Sequence, residues 1–227
     1  MPRIARTVVP GFPHHIVQRG NNRGDVFFND EDRAVYLFLL KTYSEKWNSS
    51  IICYCLMPNH VHLLVRPSSE GSLQKMMQGI TLCYTQHINR RYRRTGRLWE
   101  SRYHSCFLDQ ETYLWAVTRY IEQNPVHAAI VRNAQDYRYS SASAHLGLVY
   151  DPVLGEDLFP EIQRNGYIEF IQSGIPAEQV KQIRQSARTG RPLGTKKFVT
   201  EMERILGKRL AALAHGRPRK KQKRSMT

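Results

Sequence analysis

The sequence has little of several things that would redirect its reading. No apolar run approaches the ~20 residues of a membrane-spanning helix, so no membrane segment is expected. Behind Met1-Pro2-Arg3-Ile4-Ala5-Arg6 there is no apolar block of a signal peptide, and a cytoplasmic location is the expectation. Only four cysteines occur in 227 residues, and Cys53, Cys55, Cys83 and Cys106 form no Cys-x-x-Cys pair. That argues against a disulfide scaffold or a zinc finger and predicts reduced, largely buried thiols. No long-period repeat is present; only Gly-Arg-Pro recurs, at 190–192 and 216–218. Acidic residues are scarce as well, 19 against 34 Lys and Arg, which leaves a net charge of +15 and points to a polyanionic partner.

The excess charge is unevenly placed. Residues 188–224 hold 13 Lys and Arg against Glu201 and Glu203, +11 of the total, so the preceding chain is nearly balanced at +4. The end, His215-Gly216-Arg217-Pro218-Arg219-Lys220-Lys221-Gln222-Lys223-Arg224, has nothing apolar to bury and is expected to be disordered when free. It reads as a nucleic-acid arm, with a solubility appendage as the alternative. Gly216-Arg217-Pro218-Arg219-Lys220 also looks like an AT-hook core, an extended arm that lays Arg into the minor groove. With 41% hydrophobic and 10% aromatic residues, the rest of the chain can bury a sizeable core. The expected organisation is a domain over 1–150, a helical extension over 151–213 and a basic tail over 214–227.

Within the first of these, His14 to Arg19 reads as a strand entered through Pro10-Gly11-Phe12-Pro13 and left through Gly20-Asn21-Asn22-Arg23-Gly24. Asn29-Asp30 offers a cap to a helix ending near Asn48, and a hairpin over 51–66 follows, turning at Pro58-Asn59. A long helix over about 71–94 repeats Leu73, Met76, Met77, Ile80 and Tyr84 at helical spacing. Tyr103 to Leu108 makes another strand, Asp109 caps a third helix, and Asn124-Pro125 stops it. A β-α-β-β-α-β-α order predicts an α+β fold: a ferredoxin-like sandwich, with an antiparallel or mixed sheet and helices on one face. Beyond it, 176–188 and 196–213 have the periodicity of short amphipathic helices.

The run Met57-Pro58-Asn59-His60-Val61-His62-Leu63-Leu64-Val65 carries the first chemical signal. Side chains alternate along a strand, so His60 and His62 share a face, roughly 6–7 Å apart, while Val61 faces the other way. Two such imidazoles can converge on one cation; two polar side chains on a solvated face are the other reading. The third helix carries the second signal. Tyr120 and Asn124 are one turn apart, about 5–6 Å at Cβ, whereas Tyr113 lies about 10 Å further up the axis. Asn124 would stand at the negative end of the helix dipole, where a cation is favoured; alternatively it caps the helix while Tyr120 packs. His60, His62 and an Asn124 oxygen are three neutral donors that suit Mg²⁺ or Mn²⁺ completed by water and phosphate oxygens. A phenol beside such a cation is a nucleophile candidate, its attack helped by a metal-polarised phosphate.

At these residues the chain resembles the single-tyrosine transposases of the HUH endonuclease group, and among them the REP-associated tyrosine transposases. The resemblance covers about residues 5–145 and is carried by Pro58-Asn59-His60-Val61-His62 and Tyr120-Ile121-Glu122-Gln123-Asn124-Pro125-Val126. Arg19-Gly20-Asn21-Asn22-Arg23 and Leu98-Trp99-Glu100-Ser101-Arg102-Tyr103 support it. It implies a metal held by His60, His62 and Asn124, where some relatives have Gln. It also implies that Tyr120 cleaves single-stranded or hairpin DNA, forming a 5′-phosphotyrosine and freeing a 3′-OH. A replication or conjugation nuclease fits less well, since a relaxase normally has three histidines in this motif. A sequence-specific DNA-binding regulator without turnover is the reading from another class.

Further basic and aromatic positions fit a DNA partner. Arg19, Arg23, Arg90, Arg91, Arg93, Arg94 and Arg102 are candidate phosphate contacts, joined in the tail by Arg217, Arg219, Lys220 and Lys221. Trp99, with Tyr92 or Tyr103, is a candidate platform for unpaired bases. The implied protein is a monomer or homodimer, cytoplasmic and nucleoid-associated.

Overall fold

A computed structural model describes residues 6–155, 158 and 161–211. The first seven elements follow the expected order: β1 (His14–Arg19), α1 (Asp30–Lys46), β2 (Ser49–Met57), β3 (His60–Pro67), α2 (Ser72–Arg91), β4 (His104–Phe107) and α3 (Gln110–Glu122). They are followed by α4 (Asn124–His127), α5 (Ala142–His145), α6 (Glu161–Gln172), α7 (Ala177–Thr189) and α8 (Lys196–Leu206). The sheet order is β2-β3-β1-β4 and every pair in it is antiparallel, the ferredoxin-like arrangement.

Period-two alternation decides what each face of the sheet meets. Ile16, Val61, Leu63 and Val65 face α1 and α2, in a core that also takes Tyr36, Leu40, Met76, Ile80 and Tyr84. Gly79 lets the two helices close on one another: a Cβ there would sit 2.1 Å from the Tyr43 ring. α1 starts where expected because the Asn29 side chain accepts the Asp32 N–H at 3.0 Å.

The other face is covered too, which corrects the expectation of helices on one face only. Cys53, Cys55, Met57 and Leu64 pack against Val117, Tyr120 and Ile121 of α3 and Ile183 of α7. The reason lies in the strands, whose alternate positions are apolar on both sides and so leave no solvated face. Cys53, Cys55 and Cys106 are buried free thiols, and burial pushes the Cys106 thiol up to about 12.

The extension past residue 150 builds outward from α3. Tyr167 and Ile171 of α6 pack with Ala134, Ala142 and Trp115, and α8 sets Met202 against Phe107 and Val9 at the β4 edge. α6 is an element the periodicity did not reveal. No helix among the described residues is long and apolar enough to cross a membrane.

Candidate active site

The β1–β3 register places Val17 opposite His62 and His15 opposite Leu64. His15 is therefore a diagonal neighbour of His62 on the face covered by α3. Their rings stack with centroids 5.3 Å apart, and His15 Nε2 lies 3.0 Å from His62 Nδ1. His60 and His62 rings stand 5.0 Å apart, nearly perpendicular, so the expected pair does share one face. His60 Nδ1 donates to Asn59 Oδ1 at 2.6 Å, which orients the ring and leaves Nε2 as a lone-pair donor. Neutral His62 reaches the same state when its Nδ1–H donates to His15.

Burial keeps these imidazoles neutral. It lowers His60 to about 4, with the Arg19 charge adding to the effect, and lowers His15 to about 4 by itself. His62 falls well below the usual histidine range, through burial first and then His60, His15, Arg19 and Arg184. Metal ligation requires the neutral form, and this pocket supplies it.

Tyr120 meets the histidines edge-on, 5.7 Å from the His62 ring and 5.9 Å from His15, and only 6% of its surface is exposed. Tyr113 instead packs with the apolar residues between α3 and α7. The helix does not simply stop at Pro125: Gln123 keeps helical angles and a second short helix, α4, starts at Asn124. Asn124 bridges the break. Pro125 has no N–H, and Asn124 Nδ2 donates to the Tyr120 carbonyl at 2.6 Å and the Ile121 carbonyl at 3.3 Å. This is the capping role that stood as the alternative, and it leaves Oδ1 as the amide's acceptor.

Among the described residues no three His, Cys, Asp or Glu side chains are grouped to hold a metal. The structure brings two neutral imidazoles with oriented rings to Tyr120, and Asn124, tied to the Tyr120 carbonyl, is the amide oxygen the sequence offers as a third donor. That set fits a divalent cation that keeps open positions for water and phosphate oxygens.

Three features here had no sequence signal of their own. Arg184 of α7 donates from Nε to the Tyr120 hydroxyl oxygen at 3.4 Å. Glu122, with no exposed surface, accepts from Ser141 Oγ, Tyr167 Oη and His145 Nδ1, each at 2.6 Å. Arg119, also buried, donates to the Phe170 carbonyl, Ser173 Oγ and Gln179 Oε1. The outer side of α3 is thus tied to α5, α6 and α7. The place of His15 on a strand, alternating with Val17 and Arg19, was legible in the sequence, but its meeting with His62 came only from the β1–β3 register.

The candidate phosphate contacts divide. Arg19, Arg23, Arg90, Arg93, Arg94 and Arg102 are exposed, and Arg19 adjoins His60 closely enough to lower its pKa. The loops carrying several of them are bound together: Gly20 N donates to the Asn59 carbonyl, Asn21 N to Leu98, and Glu100 N to Arg19. A Cβ at Gly20 would meet the Gly24 carbonyl oxygen at 2.1 Å, so this junction requires glycine. Arg91 is engaged elsewhere, paired with Glu31 and facing Asp32. Trp99 is not a stacking platform: it is 5% exposed and packs between Tyr36 and Tyr84, because a large apolar ring between two aromatic neighbours is buried. Tyr103 is buried as well, and Tyr92 gives its hydroxyl to Asp32 at 2.8 Å. Arg217, Arg219, Lys220 and Lys221 lie outside the described residues.

Comparison with known proteins bears on the fold and the family. No curated protein matches the chain. Among solved structures, a REP-associated tyrosine transposase bound to a REP hairpin has a similar fold: TM-score 0.56, 16% identity, covering 72% of this chain and 96% of that one. A candidate transposase from Deinococcus radiodurans R1 aligns at TM-score 0.37 and 19% identity, covering 54% of this chain and 97% of that one. The family described as "Transposase IS200 like" matches residues 9–124, a span that runs from before β1 through His60, His62 and Tyr120 to Asn124. The chain belongs to the IS200-like transposase family.

Proposed function

We propose that this protein cleaves and rejoins single-stranded or hairpin DNA in a metal-dependent reaction, with Tyr120 as nucleophile and a 5′-phosphotyrosine as intermediate. The observation that carries the reading is the approach of the Tyr120 ring to His62, 5.7 Å between centroids, on a sheet face where His60 stands next to His62. In this reading His60 Nε2, His62 Nε2 and Asn124 Oδ1 hold Mg²⁺ or Mn²⁺. A divalent cation so held would polarise the scissile phosphate and neutralise charge gained as the phenol attacks.

The remaining steps belong to the chain's own residues. Asn59 and His15 fix the two imidazole planes. Asn124 binds the last turn of α3, and Glu122 and Arg119 hold that helix from behind, so the phenol approaches the phosphate from a set direction. Arg19, Arg23 and Arg102, on the joined loops beside His60, accept the DNA backbone. Residues 1–150 form the catalytic domain, 151–213 its helical extension, and 214–227 a basic DNA arm. The solved neighbour is bound to a REP hairpin, which supports a hairpin as the substrate class here.

Trapping the covalent adduct tests the reading. A hairpin oligonucleotide drawn from inverted repeats flanking the gene, incubated with Mn²⁺, should yield a protein–DNA adduct resistant to denaturant. Tyr120→Phe should abolish the adduct with DNA binding nearly intact, and Tyr113→Phe should leave it. Binding without any adduct from the wild-type protein would leave a DNA-binding regulator as the surviving reading.

A further inference from the structure

Among the described residues, Arg184 is the cation that reaches the proposed reacting oxygen by a hydrogen bond. It sits on α7, in the extension beyond the family's matched span, and reaches Tyr120 across 64 residues of sequence. The contact is long, 3.4 Å, and uses only Nε, so the terminal guanidinium nitrogens are not spent on Tyr120. No carboxylate among the described residues pairs with it, whereas Lys181 one turn earlier has Glu178 at 3.6 Å. Packing explains the placement: Ile183 and Ala187 bury one side of α7 and hold the helix, while Arg184 next to them stays exposed. Tyr120 is nearly buried, and the exposed guanidinium stands at its hydroxyl, where a phosphate bonded to that oxygen would lie within its reach.

We infer that Arg184 is a catalytic residue of the strand transfer, donating to the Tyr120 oxygen and, once DNA is bound, to a nonbridging oxygen of the scissile phosphate. The inference rests on the reading proposed above and extends it: the helical extension completes the site. In the step concerned, Tyr120 Oη forms a bond to phosphorus and the phosphorus–O3′ bond breaks. The phenolic proton passes to water, the departing 3′ oxygen takes a proton from water, and nothing is oxidised or reduced. Arg184 acts only as a hydrogen-bond donor, since a guanidinium offers N–H groups and no acceptor. Its contribution is to neutralise the second negative charge that the phosphoryl oxygens gain on attack; apart from the cation, the site's imidazoles and amide are neutral and do not neutralise it.

The test compares wild type, Arg184→Ala and Arg184→Lys on a hairpin oligonucleotide with Mn²⁺, scored by single-turnover adduct formation and by equilibrium DNA binding. The same oligonucleotide is then made with a neutral methylphosphonate at the mapped cleavage position. Arg184→Ala should slow adduct formation on the phosphodiester by about 10²–10³-fold, the size of losing one preorganised donor to a developing oxyanion. Binding should change by less than about threefold, since one phosphate contact among many is lost, and Arg184→Lys should recover part of the rate. On the methylphosphonate the gap between wild type and Arg184→Ala should close, because attack then leaves one negative charge on the phosphoryl group and not the two that Arg184 is needed to offset. Equal or faster cleavage by Arg184→Ala on the phosphodiester overturns the inference, as does an equal loss on both substrates, which would make Arg184 structural. Absence of adduct from the wild-type protein overturns the strand-transfer reading itself, and so is distinguished from failure of Arg184 alone.

Discussion

His15 Nε2 and His62 Nδ1 stand 3.0 Å apart with both rings buried, so one histidine fixes the plane of the other. A histidine offered to a metal through Nε2 gains basicity and orientation from what its Nδ1–H meets, and losing such a partner typically lowers metal affinity 10–100-fold. His15→Ala should therefore weaken Mn²⁺ binding, measured by calorimetry on the DNA-free protein, by about tenfold or more. His15→Gln, which keeps an acceptor, should recover much of it. Unchanged affinity in His15→Ala would reduce His15 to core packing.

Glu122 is a buried carboxylate whose partners come from two other segments: Ser141 and His145 of α5 and its cap, and Tyr167 of α6. Removing one member of a buried charged network leaves the rest unsatisfied, at a cost of roughly 3–5 kcal/mol. Urea unfolding of Glu122→Ala should show a loss of that order, and Tyr167→Phe a smaller one near 1–2 kcal/mol. A loss below about 1 kcal/mol for Glu122→Ala would mean that solvent reaches the network.

Acid should destabilise the fold through histidines as well as through carboxylates. His14 accepts the Val9 N–H at Nε2 and donates Nδ1–H to the Phe12 carbonyl, and burial lowers it to about 4; His15 is lowered to about 4 as well. The unfolded chain protonates these groups near 6.5 while the folded one does not. Stability is therefore complete above about pH 6.5 and falls as pH drops towards 4, by up to about 1.4 kcal/mol per pH unit for each histidine. Urea midpoints taken between pH 7 and 4 check the slope, which should flatten in His14→Gln.

The tail prediction follows from charge alone. Deleting 214–227 removes six Lys and Arg and no acid. Each phosphate contact contributes about −0.7 to −0.9 to the slope of log affinity against log salt, so the truncated protein should bind more weakly with a slope shallower by several units. At saturating DNA it should still form the Tyr120 adduct, because the proposed catalytic residues precede residue 190. Identical slope and affinity would leave the tail as a solubility appendage.

Local chemistry was legible in the chain where a short-range rule decides it. His14–Arg19 as a strand, Asn29 as a helix cap, the turn at Pro58-Asn59, and the shared face of His60 and His62 all follow from side-chain alternation and backbone preference. So did the one-turn spacing of Tyr120 and Asn124. Tertiary packing decided the rest. Trp99 and Tyr103 carry the composition of a base-stacking surface, yet the cores formed by distant strands and helices bury them. α3 could not be assigned to the second sheet face from its own periodicity, since an apolar stripe says that a helix is covered and not by what. His15 joined the histidine pair through strand register across 47 residues, and Arg184 came to the tyrosine from a helix 64 residues away. Pairings at such separations arise from how whole elements dock, and no local pattern of residue types records them.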